Sequence, residues 1–158
     1  MPSSRVITDA VPTLQEAWAY LNQEWAKRYP NGPKLILSEV FRPAEVQRAY
    51  YARGRKPLAV VNSLYKAADL PPISDEDNRS VVTHKLPGTS LHEHYPSRAF
   101  DIAFSQGGKT IWADINFNRA AAIIREKFAA RVTWGADWDG DGRSDDEKFI
   151  DRPHFQVK

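Results

Sequence analysis

The sequence predicts an α+β domain, with about three helices beside a small and mostly antiparallel sheet. Two observations lead there. Apolar residues recur at helical spacing in separate stretches, as at Leu14, Ala17, Trp18, Leu21 and Trp25, and again at Ala121, Ile124 and Phe128. Between and after them lie short runs rich in apolar and aromatic residues, at 34–41 (KLILSEVF), 99–104 (AFDIAF), 131–134 and 154–157.

Taken in order, Thr13-Leu-Gln-Glu16 has the capping-box pattern and is expected to open the first helix. Tyr29-Pro-Asn-Gly-Pro33 ends it and turns the chain into the run 34–41. Pro43 suits the first position of a second helix, and Gly54 suits its C-terminal stop. Residues 58–86 lack clear periodicity and hold Pro71-Pro72 and the polar run 74–80. They read as a long, partly ordered excursion, and such loops within compact domains are often functional. Residues 99–104 are strand-like around one buried-looking Asp, a third helix is expected over 114–130, and another strand begins at 131. An acidic Gly/Asp loop, 135–150, precedes a terminal strand at 154–157. No internal repeat is present, and a single domain over 1–158 is expected.

Composition narrows the chemistry. An apolar fraction of 42% with 11% aromatics, five of them Trp, suffices for a packed core without disulfides. Cysteine is absent, which excludes thiol nucleophiles and Cys-type zinc sites. Any metal must use carboxylates and the four histidines, His84, His92, His94 and His154. The net charge of +2 is spread along the chain with no basic stripe and interleaved aromatics, so no nucleic-acid partner is indicated. A weak positive charge suits an anionic polymer such as a cell wall. The N-terminus lacks an apolar core of about 7–15 residues and does not read as a secretory signal. No run of about 18 apolar residues exists to span a membrane. The expectation is a soluble, cytoplasmically made chain, acting as a monomer.

His92 stands just before a strand-like run, Asp101 lies inside it, and His154 lies near the C-terminus. Imidazole and carboxylate are good zinc ligands, and a catalytic site needs three ligands and one open position. Ser90-x-His92, then Pro96-Ser97-x-Ala99-x-Asp101, then Asp151-x-Pro153-His154-Phe155 resembles the zinc D-alanyl-D-alanine carboxypeptidase and L-alanyl-D-glutamate endopeptidase family, in which phage endolysins are prominent. The resemblance runs from about residue 37 to 157 and includes the Arg42-Pro-x-Glu-Val-Gln-x-x-Tyr-Tyr-x-x-Gly-Arg55 segment.

That resemblance implies a hedgehog- or DD-peptidase-like fold with zinc on His92, Asp101 and His154. It implies that Asp151 is the general base and that Arg42 binds substrate and stabilises oxyanion charge. Ser90 would position the first ligand or the substrate. A seven-position spacing from His to Asp, found in many members, would instead select His94. The Ser-x-His match and Pro96-Ser97 resemble the nine-position form, which selects His92 and leaves His94 at the mouth of the site. The implied function is cleavage of a peptide bond in the peptidoglycan stem, first of all L-alanyl-D-glutamate. The agent would be a phage endolysin made in the host cytoplasm and acting on the wall after release. D-alanyl-D-alanine carboxypeptidase or dipeptidase activity would share this site. A non-enzymatic, zinc-containing wall-binding domain is the other reading, against which Asp151 and Arg42 count.

A second metal is indicated by Asp137-Trp-Asp139-Gly-Asp141-Gly142-Arg143-Ser-Asp145, which resembles the first nine positions of an EF-hand loop. Carboxylates fall at positions 1, 3, 5 and 9, Gly at 6 and Arg143 at 7. Position 12 is Lys148 rather than Glu, so Asp146 or Glu147 would have to substitute. Six carboxylates in eleven residues repel one another without a cation. Some related phage endopeptidases are calcium-regulated, and the loop ends four residues before Asp151, so calcium activation is expected. Among other residues, Trp18, Leu21 and Trp25 are expected in the core. Trp134 and Trp138, flanking the start of the loop, would pack beneath it or line the substrate groove, packing being the favoured reading. Gln47, Tyr51 and Arg55 share one helix face and would orient Arg42 or join helix to sheet. His84 is expected at the surface.

Overall fold

The computed structural model describes residues 2–158. Its helices are α1 (Pro12–Arg28), α2 (Ala44–Ala52), α3 (Leu58–Ala67) and α4 (Asp114–Phe128). Its strands are β1 (Lys34–Glu39), β2 (Ala99–Gln106), β3 (Lys109–Ile111), β4 (Val132–Trp134) and β5 (His154–Val157). The sheet runs β1-β2-β5-β4, with β3 paired to β2, and each of these pairings is antiparallel. The fold is α+β, as expected.

The period-two alternation of β2 divides the molecule. Phe100, Ile102 and Phe104 point to one face and are fully buried. That face is covered by α1, through Leu14, Ala17, Leu21 and Trp25, and by α4, through Phe117, Ala120, Ile123 and Ile124. Phe100 stacks on Phe155 at 5.5 Å between ring centroids, and Phe104 meets Phe117 edge-on at 5.0 Å. Burying each of these rings contributes about 1.5–3 kcal/mol, so this layer dominates the stability of the sheet. Asp101, on the opposite face of β2, looks away from the core.

Three local expectations change, and one strand is added. Thr13 does not cap the first helix: Pro12 already stands in its first turn, the N-cap is Val11, and no side chain caps it. A proline there has no N–H to satisfy. The excursion 58–86 opens with an ordered helix, α3, which packs Val61 and Tyr65 against Ala49 and Ala52 of α2. Only those two of its ten residues are fully buried, a stripe too narrow to register as periodicity. Pro43 is the N-cap of α2 rather than its first residue. Strand β3, three residues long, was not foreseen.

Gly54 lies just past the end of α2 at φ +79°, the left-handed stop expected of it. A Cβ there would lie 2.9 Å from the Val81 nitrogen. Asn78 fastens the excursion to the same corner, accepting from the Gly54 N–H at 3.0 Å and donating to the Lys56 carbonyl at 2.9 Å. These contacts bring residues 81–85 over the open face of the sheet.

Candidate active site

Glu39, Asp101 and His154 are cross-strand partners on β1, β2 and β5, forming one row across the open face. Regular pairing of β1 runs from Lys34 opposite Ser105 to Leu37 opposite Ile102, which would bring Ser38 opposite Asp101. A bulge between Leu37 and Glu39 inserts one residue, so that Glu39 takes that place. On β5, Phe155 enters the core while His154 and Gln156 share the other face.

His92 arrives from a 3-10 turn, Leu91–Glu93, whose N-cap is Ser90. The Ser90 hydroxyl accepts from the His92 N–H at 3.3 Å, and the Arg42 N–H donates to the His92 carbonyl at 2.9 Å. His92 Nε2 lies 3.2 Å from Asp101 Oδ1 and 3.3 Å from His154 Nδ1, and the third edge, His154 Nδ1 to Asp101 Oδ1, is 3.0 Å. His94 is exposed and outside this group.

The donor set fits a metal on its own chemistry. The remaining nitrogen of each ring faces an acceptor: His92 Nδ1 is 2.7 Å from the Val40 carbonyl, and His154 Nε2 is 2.9 Å from Gln156 Oε1. Both outward nitrogens therefore carry hydrogen, which leaves two imidazole lone pairs converging on a carboxylate. Tetrahedral ligands about 2.0–2.1 Å from zinc stand about 3.3 Å apart, close to the separations found. The site attracts positive charge. Burial opposes ionisation of Asp101, but His92 and His154 outweigh it and hold the carboxyl well below its ordinary range. Burial likewise opposes a charged His154, yet its hydrogen bond to Asp101 and that residue's charge raise its pKa.

Arg42 is buried at the edge of the same site. Glu39 accepts from its Nε at 3.0 Å and from Nη2 as well, and Gln47 Oε1 accepts from Nη1 at 2.6 Å. Burial works against the guanidinium charge, but Glu39 more than compensates and raises its pKa. Gln47, fully buried, also donates to Thr83 Oγ1 at 3.2 Å and to the Lys85 carbonyl at 2.7 Å. It therefore orients Arg42, whereas Tyr51 and Arg55 pair with each other at the surface.

Asp151 lines the site from the opposite side. Burial and the charge of Asp101 raise its pKa, against the opposing pull of His154, His92 and Arg42. Its backbone is gripped by Gly135, whose carbonyl accepts from the Asp151 N–H at 2.6 Å and whose N–H donates to the His154 carbonyl at 2.7 Å. A Cβ on Gly135 would collide with the Asp151 carbonyl oxygen.

These groups open into a groove of about 560 Å³. Residues 81–85 form one wall, and Trp138, Phe149 and Ile150 form another. His84 is exposed but not merely a surface residue: it lines this groove and meets Phe149 edge-on at 5.0 Å. Of its two expected places Trp138 takes the less favoured one, lining the groove with its ring 5.9 Å from that of His154. Trp134 does pack, stacking on Phe155. Glu39, Gln156, Gly135 and Trp112 were missed. Only Gln156 carried a readable signal, being two residues from His154 on a strand and hence on its face.

In the acidic loop, Asp137, Asp139 and Asp141 bring one carboxylate oxygen each within 4.8 Å of one another. Asp137 Oδ2 accepts from the Gly142 N–H and from Arg125 Nη1, both at 2.9 Å, while its buried Oδ1 has no hydrogen-bond partner. Asp145 is not brought into the group; it forks onto the Arg143 side chain at 3.1 Å. Glu147 turns inward instead and accepts from the Trp138 N–H at 2.8 Å.

Two imidazoles and a carboxylate, converging beside a further carboxylate on an open groove, make up the donor set of a metallohydrolase. Residues 74–157 match the family model described as phage L-alanyl-D-glutamate peptidase, and the chain belongs to that family. Membership makes it a hydrolase of peptidoglycan. Ser90, His92, Asp101, Asp151 and His154 lie within the matched residues and Arg42 lies outside them. The fold is similar to the crystal structure of Serratia marcescens L-Ala D-Glu endopeptidase ChiX, with a TM-score of 0.52 and 18% identity over 96% of this chain and 83% of that one. No curated protein matches the chain. Among the described residues, no helix is long and apolar enough to cross a membrane.

Proposed function

We propose that the protein is a zinc-dependent L-alanyl-D-glutamate endopeptidase that acts as a phage endolysin and is activated by calcium. The observation that carries this reading is the triangle of His92 Nε2, Asp101 Oδ1 and His154 Nδ1, with edges of 3.0–3.3 Å and both other ring nitrogens tied off. Zinc held by such a set supplies Lewis acidity, which polarises a carbonyl and acidifies water.

The chain's own groups do the rest. Asp151 accepts the proton of the attacking water and returns it to the departing amine as the C–N bond breaks; its raised proton affinity suits both transfers. Arg42, held rigid by Glu39 and Gln47, presents fixed positive charge toward the groove, where it meets a stem carboxylate or the developing oxyanion. Ser90 acts on His92 through the turn it caps. The acidic loop supports calcium through Asp137, Asp139 and Asp141, and the unpartnered Asp137 Oδ1 is the group that most needs a cation. Trp138 belongs to that loop and stands against His154, so ordering the loop would steady the site.

Digestion of purified peptidoglycan followed by mass spectrometry tests the assignment. New N-terminal D-glutamate is expected. Released D-alanine would instead make the protein a carboxypeptidase, and an undigested wall would leave a binding module.

A further inference from the structure

Trp112 follows β3 directly and is 63% exposed, the most exposed large apolar side chain among the described residues. A single exposed indole is ordinary on a protein surface, so what sets Trp112 apart is how it is held and where it faces. It is not a loose side chain: one face lies nearly parallel to Phe117, at 12° and 6.2 Å between centroids, and Phe117 is itself buried in the core. The ring also lines the groove that holds Asp101, His154 and Asp151.

Its position relative to Arg42 gives the groove a direction. β1, which leads to Glu39 and Arg42, occupies one edge of β2, and β3, which leads to Trp112, pairs with the other. Asp101 lies on β2 between them. The cationic end thus suits the carboxylate-bearing D-glutamate side of the scissile bond, leaving the L-alanine side to run toward Trp112. In peptidoglycan the L-alanine nitrogen is acylated by the lactyl group of muramic acid. A sugar ring therefore begins about 7 Å from the scissile carbonyl, the reach of two extended residues. Pyranose rings carry a face of C–H groups that packs on the electron-rich face of an indole.

Resting on the endopeptidase reading, we propose that Trp112 is a saccharide platform for the muramyl sugar of the stem being cut. The enzyme would then prefer stems still attached to glycan over free stem peptides.

The test compares kcat/KM for a muramyl tetrapeptide and for the same tetrapeptide without sugar, in wild type, Trp112→Ala and Trp112→Phe. The wild-type preference for the muramyl substrate is expected to fall about tenfold in Trp112→Ala and less in Trp112→Phe, which keeps an aromatic face. A ratio unchanged in Trp112→Ala, whether both rates fall together or neither does, overturns the platform. Thermal melting and bound zinc, measured on each variant, identify a fall caused by misfolding, and in that event Trp112→Phe decides by the same ratio. Failure of wild type to cut either substrate at the L-alanyl-D-glutamate bond would instead sink the endopeptidase reading itself.

Discussion

His154 and Gln156 stand on the same face of β5, and the His154 Nε2–H donates to Gln156 Oε1 at 2.9 Å. The bond selects the tautomer in which Nδ1 presents its lone pair toward His92 and Asp101. Replacing Gln156 with Leu removes the acceptor while leaving the three proposed ligands intact. Zinc affinity is expected to fall about 10–100-fold, the usual effect of losing such a partner. Competition against a chromogenic chelator measures it, and unaltered affinity would show that the tautomer is set elsewhere.

Asp151→Asn keeps the size and burial of the side chain but removes the base. Bound zinc should remain near stoichiometric while kcat falls about 10²–10⁴-fold. Wild-type activity should also decline on acidification at a pH above that of an ordinary aspartate, because the base must be ionised and its pKa is raised. Near-normal turnover by the variant would remove Asp151 from the mechanism.

Gly135→Ala places a methyl group on the Asp151 carbonyl. Backbone cannot yield there cheaply, since the same residue holds both Asp151 and His154. The variant should lose about 1–3 kcal/mol of stability and most of its activity, as read by urea unfolding and wall lysis. Wild-type behaviour in both would mean the loop closes differently in solution.

Arg125 donates to Asp137 Oδ2 and to the Gly140 carbonyl, placing a positive charge beside the proposed calcium group. Arg125→Gln should therefore bind calcium more tightly than wild type, and activity in a calcium titration should rise at lower concentration. Equal activity of the wild-type enzyme in calcium and in a calcium-selective chelator would end the calcium reading.

Far from the site, Glu126 on α4 accepts from Arg28 and Tyr20 on α1, each at 2.6 Å. Arg28 chiefly, with Tyr20, lowers the Glu126 pKa from 4.5 to about 2. Since the folded value is depressed, the stabilisation is fully present above about pH 4.5 and is lost as the pH falls toward 2. The difference in unfolding midpoint between wild type and Glu126→Gln should shrink across that window. A difference independent of pH would assign the contact to packing alone.

What the sequence by itself determined was the chemistry available and the pieces that local pattern writes down. Without cysteine, a metal had only histidine and carboxylate to use. The alternation in β2 and β5 placed Asp101 and His154 opposite to the phenylalanines, and the helical period located α1 and α4. Tertiary structure decided the rest, because those relations join residues far apart in the chain. His92 rather than His94 meets His154 across 62 positions and takes its tautomer from Val40 across 52. A one-residue bulge, invisible to composition, brings Glu39 opposite Asp101 and so fixes Arg42. Helix α3 buries too narrow a stripe for sequence periodicity to show it, and Asp145 pairs with Arg143 instead of joining the acidic group. Local spacing records which side chains share a face; only the packed chain determines which faces meet.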